Sequence, residues 1–166
     1  MTDDAADIDR KRIERVYERI DPKEFDAILF FDMNNIRYLT GFTGSDGVLL
    51  LQPDRVMLLV DGRYVTQAAE QSPHCDVVQY RDKVSGIATA LAERGAGRVG
   101  FEAFALTVGL YEKIRERIRT TRLAPLDGEL SCLRSRKDAG EASLLRRAVD
   151  IATEALTDVL PLLRPG

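Results

Sequence analysis

Two rhythms of apolar and polar positions alternate along the first two thirds of the chain. Ile13, Val16, Tyr17 and Ile20 fall at i, i+3, i+4 and i+7, one stripe of an amphipathic helix. Asp21-Pro22 ends that helix, because proline disfavours helical geometry in the residue before it. Residues 27–31 (AILFF) form a continuous apolar run of strand length, which predicts a strand covered on both faces. Asp32 stops the run.

The stretch 34–61, NNIRYLTGFTGSDGVLLLQPDRVMLLVD, is the centre around which the rest of the chain is organised. Ile36, Tyr38 and Leu39 mark a short amphipathic segment. Gly41, Gly44 and Gly47 then recur at spacing three. Residues 48–51 and 56–60 are apolar runs joined by Gln52-Pro53-Asp54-Arg55, and Pro-Asp is turn chemistry, so the pair predicts a β-hairpin. A glycine-rich loop feeding a hairpin presents backbone and short polar groups at the end of a sheet, where binding sites are commonly placed.

After the hairpin, Asp61-Gly62 predicts the start of a helix, with Asp61 as N-cap and Tyr64, Val65, Ala68 and Ala69 on one side. Ser72-Pro73 breaks it. Residues 76–80 (DVVQY) read as a short strand, 84–94 as a helix closed by Gly95 and Gly97, and 98–102 (RVGFE) as a strand. Residues 107–119 predict a helix with Leu110, Ile114 and Ile118 at four-residue spacing, and 123–126 a last weak strand. The fold class is α/β: a mixed, partly parallel β-sheet of about six strands with flanking helices, in which parallel βαβ units surround one hairpin.

From Asp138 the texture changes. Asp138 and Glu141 form a capping-box pattern, and apolar residues from Leu144 to Leu163 cover more of the helix than one stripe. Such a helix wants burial on two sides, so a domain boundary is expected near 133–137, with a truncated second domain after it.

Composition narrows the function. The 166 residues carry a net charge of −3, which argues against a nucleic-acid partner. No apolar run approaches the ~20 residues needed to span a bilayer, and the acidic amino terminus is not a signal peptide. Cys75 and Cys132 have no metal or redox spacing and read as reduced thiols in a cytoplasmic protein. A single histidine, His74, rules out most metal and general-base constellations, and it reads as a surface-loop residue.

NIRYLTGF at 35–42, then GSDG, VDGRY ending at Tyr64, VGFE at 99–102, and LRSRKDAGEASLLRRAVDIA stand in one order and register. This set resembles the creatinase/prolidase N-terminal domain of Xaa-Pro aminopeptidases and Xaa-Pro dipeptidases. The resemblance implies residues 1–133 as that domain and 134–166 as a linker plus the first helix of a "pita-bread" catalytic domain. Lys137, Glu141, Leu145, Arg146 and Ala148 match the pattern that opens that helix. It also implies, for a full-length enzyme, two divalent metal ions (Mn²⁺, Co²⁺ or Zn²⁺) on two Asp, one His and two Glu of the catalytic domain. No catalytic residue, metal ligand or cofactor is expected within these 166 residues.

The implied role is a non-catalytic one: oligomerisation as a homodimer or higher homo-oligomer, and control of access for short proline-containing peptides to the attached catalytic domain. On the resemblance, Phe42, Thr43, Ser45, Asp46 and Arg63 touch or screen substrate. From the residues alone, the glycines of 41–47 serve turns needing positive φ. A phosphate cradle lacks the P-loop Lys-Ser/Thr. Phe42, between two glycines, can also fold inward as a plug. Arg37 and Arg63 are ligands or partners for Asp32, Asp46 or Asp61, and the basic run 115–122 is a solvated helix face. A different class of function, a metal-free protein- or peptide-binding module on the same scaffold, is the alternative.

Overall fold

Alternation inside the apolar runs decides how the chain layers. The computed structural model describes residues 2–163 and divides into two compact units, Met1–Leu133 and Arg134–Gly166. In the first unit the elements are α1 (Thr2–Tyr17), β1 (Ala27–Phe30), α2 (Met33–Thr40), β2 (Val48–Gln52), β3 (Arg55–Asp61) and α3 (Val65–Gln71). β4 (Asp76–Tyr80), α4 (Lys83–Glu93), β5 (Arg98–Glu102), α5 (Val108–Arg117), β6 (Arg122–Leu126) and the single turn α6 (Gly128–Ser131) complete it.

The strands form one six-stranded sheet in the order β4-β3-β2-β1-β5-β6. β2 runs antiparallel to both β1 and β3, whereas β1–β5, β5–β6 and β3–β4 are parallel. Five strands therefore point the same way, and β2 is the one reversal. Pro125 sits in edge strand β6, where the missing N–H costs no ladder bond on the outer side.

Period-2 alternation sends Ile28, Phe30, Leu49, Leu51, Leu58 and Val60 to one face, beneath Val16 and Ile20 from α1 and its exit turn, Ile36 and Leu39 of α2 and Ala68 of α3. Ala27, Leu29, Val48, Leu50, Met57 and Leu59 face the other way, against Ile87, Ala90 and Leu91 of α4 and Ile114 of α5. The central strands β1 and β2 are covered on both sides, with all of Ala27–Phe30 buried. Each such Leu, Ile or Phe contributes about 1.5–3 kcal/mol relative to an exposed position.

Most element ends shift by a residue or two from the sequence expectations, and the larger departures have a physical reason. The first helix ends at Tyr17 rather than at Asp21-Pro22, and β1 ends one residue early, at Phe30. Asp32 does not merely stop the strand; it N-caps α2 by accepting from Asn34 N at 3.1 Å. Asp61 is not a helix N-cap. It is the last residue of β3, and its carboxylate closes an Asx-type turn onto Arg63 N at 2.8 Å, so α3 starts only after Tyr64.

The second unit is α7 (Ala139–Val159) followed by one 3₁₀ turn, Leu160–Leu162. Asp138 accepts from Glu141 N while Glu141 accepts from Asp138 N, a complete capping box. Leu144, Leu145, Val149, Ile151, Leu156 and Val159 are all exposed, and among the described residues of the unit only the 3₁₀ turn accompanies the helix.

Candidate functional site

Because β2 alone is reversed, the loop that enters it lies at the same edge of the sheet as the carboxyl ends of β3 and β4. In open α/β sheets ligands are commonly bound in the crevice outside the carboxyl ends of the strands. The loop between α2 and β2, residues 41–47, occupies this position.

The loop is built from the inside outward. Gly41 closes α2 with φ +75°, donating its N–H to Arg37 O, a left-handed cap that a side chain disfavours. Gly44 and Gly47 do not have positive φ, contrary to the turn reading of all three glycines. Gly44 is needed for a different reason: a Cβ there would lie 2.2 Å from Cζ of Phe42. Phe42 itself is fully buried, folded inward as a plug and meeting Tyr64 edge-on at 5.8 Å between ring centroids. Thr43 and Ser45, on the alternate positions, are exposed.

Every polar side chain of the loop is held. Thr43 N donates to Gln71 Oε1 at 2.9 Å, and Gln67 and Gln71 each donate to Thr43 Oγ1 at 3.0 Å. Ser45 Oγ and Tyr64 Oη are 2.6 Å apart. Asp46 accepts from Tyr80 Oη at 2.9 Å and forms an ion pair with Lys83, the first residue of α4. Burial, and then the bond to Asp46, hold the Tyr80 hydroxyl above the usual tyrosine range.

Arg63 stands beside this loop. Its Nε donates to both Asp61 oxygens, at 3.1 and 3.2 Å, and its Nη2 to Asp61 Oδ2 at 2.7 Å. Its guanidinium lies 5.3 Å from the centroid of the Tyr64 ring. These bonds hold the Asp61 carboxyl below its ordinary range. Arg63 thus pairs with Asp61, one of the three partners expected for it. Arg37 is exposed on α2 and makes no side-chain hydrogen bond or ion pair among the described residues.

Behind the loop sits a polar group that the sequence pattern does not announce. Glu102, fully buried at the end of β5, accepts from Phe31 N at 2.6 Å, Asp32 N at 2.7 Å and Asn35 Nδ2 at 2.5 Å. Burial raises its pKa and these donors oppose the rise. The carboxylate ties the start of α2, and through it the loop, to the sheet. The available signal was alternation: Gly100 and Glu102 share one face of a strand covered on both sides. Tyr64, Gln67, Gln71, Tyr80 and Lys83 were also missed as loop partners. Their spacing in the sequence, 19 to 37 residues from the loop, hides the contact.

Among the described residues, no group of three or more His, Cys, Asp or Glu side chains is placed to hold a metal ion. His74 is half-buried, Cys75 and Cys132 form no disulfide, and among the described residues no helix is long and apolar enough to cross a membrane.

The profile of the creatinase/prolidase N-terminal domain matches residues 12–136, which span the whole sheet, the loop and Glu102. The chain belongs to the creatinase/prolidase N-terminal domain family. An Xaa-Pro dipeptidase from Bacillus anthracis is similar in structure, with a TM-score of 0.87 and 32% identity over 95% of this chain and 44% of that one. The N-terminal domain of the cytoplasmic peptidase PepQ from Mycobacterium tuberculosis H37Rv is 35% identical, with a TM-score of 0.68 over 75% of this chain and 98% of that one. In sequence, the uncharacterized peptidase YqhT of Bacillus subtilis is 30% identical over 142 residues, which are 85% of this chain and 40% of the relative. The chain spans less than half the length of the two Bacillus relatives. Within this creatinase/prolidase N-terminal domain, the loop 41–47 and the Asp61–Arg63 turn are the polar cluster at the carboxyl edge of the sheet.

Proposed function

We propose that this chain is the non-catalytic amino-terminal part of a metal-dependent Xaa-Pro peptidase, of aminopeptidase P or prolidase type. Thr43, Ser45, Asp46 and Arg63 form the part of the domain that lines substrate access to a catalytic site on the remainder of the protein. Phe42 serves the same loop from beneath, as the plug that fixes its height. The domain also serves oligomerisation, as a homodimer or higher homo-oligomer. By analogy with the mycobacterial relative, whose name calls it cytoplasmic, the parent enzyme works in the cytoplasm.

The observation that carries the reading is the build of the loop: exposed hydroxyls on a frame held by Phe42, Gln71, Tyr64, Tyr80 and Lys83. A surface loop fixed at so many points has lost its conformational entropy before any ligand arrives, which favours positioning over mobility. Such a fixed wall narrows an entrance, admits short peptides and excludes folded chains.

Residues 134–166 read, on this proposal, as the linker and first helix of the catalytic domain. The capping box at Asp138 and the apolar girth of α7 support that reading. The two divalent ions of such an enzyme (Mn²⁺, Co²⁺ or Zn²⁺) would supply a hydroxide nucleophile near neutral pH. The described residues of this chain do not fit them, so no step of hydrolysis is assigned to it.

The test is an assay of the purified chain and of the complete protein with excess Mn²⁺ on a short Xaa-Pro peptide. Turnover by the complete protein and none by the chain is the expected result. Turnover by the chain alone, freed of contaminating peptidases, contradicts the proposal.

A further inference from the structure

Arg63 is exposed and yet immobilised. Its side chain is 73% accessible while Asp61, at 21%, takes the Nε and Nη2 edge and Tyr64 lies under the guanidinium plane. An exposed ion pair contributes little to stability and costs side-chain entropy to hold. A guanidinium carries five N–H donors in a fixed fork. Asp61 uses one edge of that fork. Nη1 donates to no acceptor among the described residues, so the Nη1/Nη2 edge stays open to solvent.

The surroundings decide which ligand that open edge takes. Ser45 and Tyr64 share one hydrogen bond of 2.6 Å between two hydroxyls, so one O–H of the pair is left to donate elsewhere. Asp46 and Asp61 bring two negative charges, and Arg63 and Lys83 bring two positive ones, within mutual electrostatic reach. The cluster is neutral. It offers no net field to hold a dianion such as phosphate, and it gains chiefly through geometry. A planar monoanion that accepts two parallel N–H bonds fits that geometry, and such bidentate pairs are the stronger ones.

We propose that the open edge of Arg63, pre-set by Asp61 and Tyr64, binds the carboxylate of a short peptide at the carboxyl edge of the sheet. This rests on the substrate-access role proposed for the loop and names the group of the substrate that the domain recognises. Lysine cannot replace the arginine here, because an ammonium has no fork.

The experiment is a titration of the purified chain with N-acetyl-glycyl-proline, its C-terminal amide, and inorganic phosphate. It is followed by two-dimensional NMR of the backbone amides and of the arginine Nε–Hε groups. The expected result is saturable shifts at Ser45, Arg63 and Tyr64 with the free acid, and none with the amide. Arg63→Lys should weaken binding roughly ten- to hundredfold, the range for a hydrogen bond to a charged group. Arg37→Lys, at an exposed arginine that no described residue holds, should leave binding unchanged. Equal shifts with acid and amide, tighter binding of phosphate than of the acid, or unaltered binding by Arg63→Lys overturns the carboxylate site. A separate arm distinguishes the parent reading: if the acid binds but Arg63→Lys leaves kcat/KM of the complete peptidase unchanged, the anion site stands and the substrate-access role falls.

Discussion

The ring of Phe42 fills the space in which a side chain on residue 44 would begin, with Cζ 2.2 Å from the position of a Cβ. Two residues apart in sequence, the pair makes the loop fold over its own aromatic. Phe42 is therefore a core residue, and cutting it to alanine should cost about 3–5 kcal/mol. Gly44→Ala should also destabilise, because the ring has to move from a fully buried position. Chemical denaturation of both variants checks this. A loss below about 1 kcal/mol for Phe42→Ala would mean that the ring is not packed as described.

Glu102 and Asp61 should titrate in opposite directions from their ordinary values. Asp61 is lowered, so it contributes stability above its unfolded value of about 3.9 and loses it as pH falls through the lower folded value. Glu102 is raised by burial. Its contribution is present below the unfolded value of about 4.3 and is lost as pH rises through the higher folded value. Carboxyl-resolved NMR titration reads both. Arg63→Ala should move Asp61 back toward its ordinary value and leave Glu102 where it is.

Replacing Glu102 by alanine should be among the costliest single changes in the domain. It removes the acceptor that Glu102 gives to Phe31 N, Asp32 N and the Asn35 amide, and a lost buried hydrogen bond to a charged group costs about 1.5–3 kcal/mol. Glu102→Gln keeps an oxygen for the two backbone donors and should cost much less. Equal losses in the two variants would remove the hydrogen-bond account.

The layering and much of the site were legible for different reasons. Runs such as 27–31 and the 48–60 hairpin announce strands because a strand buried on both faces admits little but apolar residues. The Asp138–Glu141 box is legible because both partners lie within one turn. Asp61 misled, because an aspartate before a helical pattern reads as an N-cap unless the turn onto Arg63 is known. Tyr80 and Lys83 could not be assigned to Asp46 at all. Their contact exists only because β4 lies at the sheet's edge beside β3, an ordering that no local pattern carries.

The helix α7 should drive association of the chain. Leu145, Val149, Leu156 and Leu160 are 52–62% exposed, and together they form an exposed apolar strip. Sedimentation should show concentration-dependent self-association that weakens when Leu145 and Val149 are both changed to serine. A chain that stays monomeric at high concentration, with α7 protected from amide exchange, would contradict this.

The claim that the loop serves substrate rather than the fold is tested most directly by Ser45→Ala in the complete peptidase. Ser45 is exposed and makes one hydroxyl contact, so the melting temperature should fall by no more than about 2–4 °C. At the same time kcat/KM on short Xaa-Pro peptides should drop by roughly tenfold, or the preference among them should shift by that factor, as loss of a transition-state or substrate contact does. Unchanged kinetics would contradict the substrate role, and a large melting loss with unchanged kinetics would return the loop to a structural one.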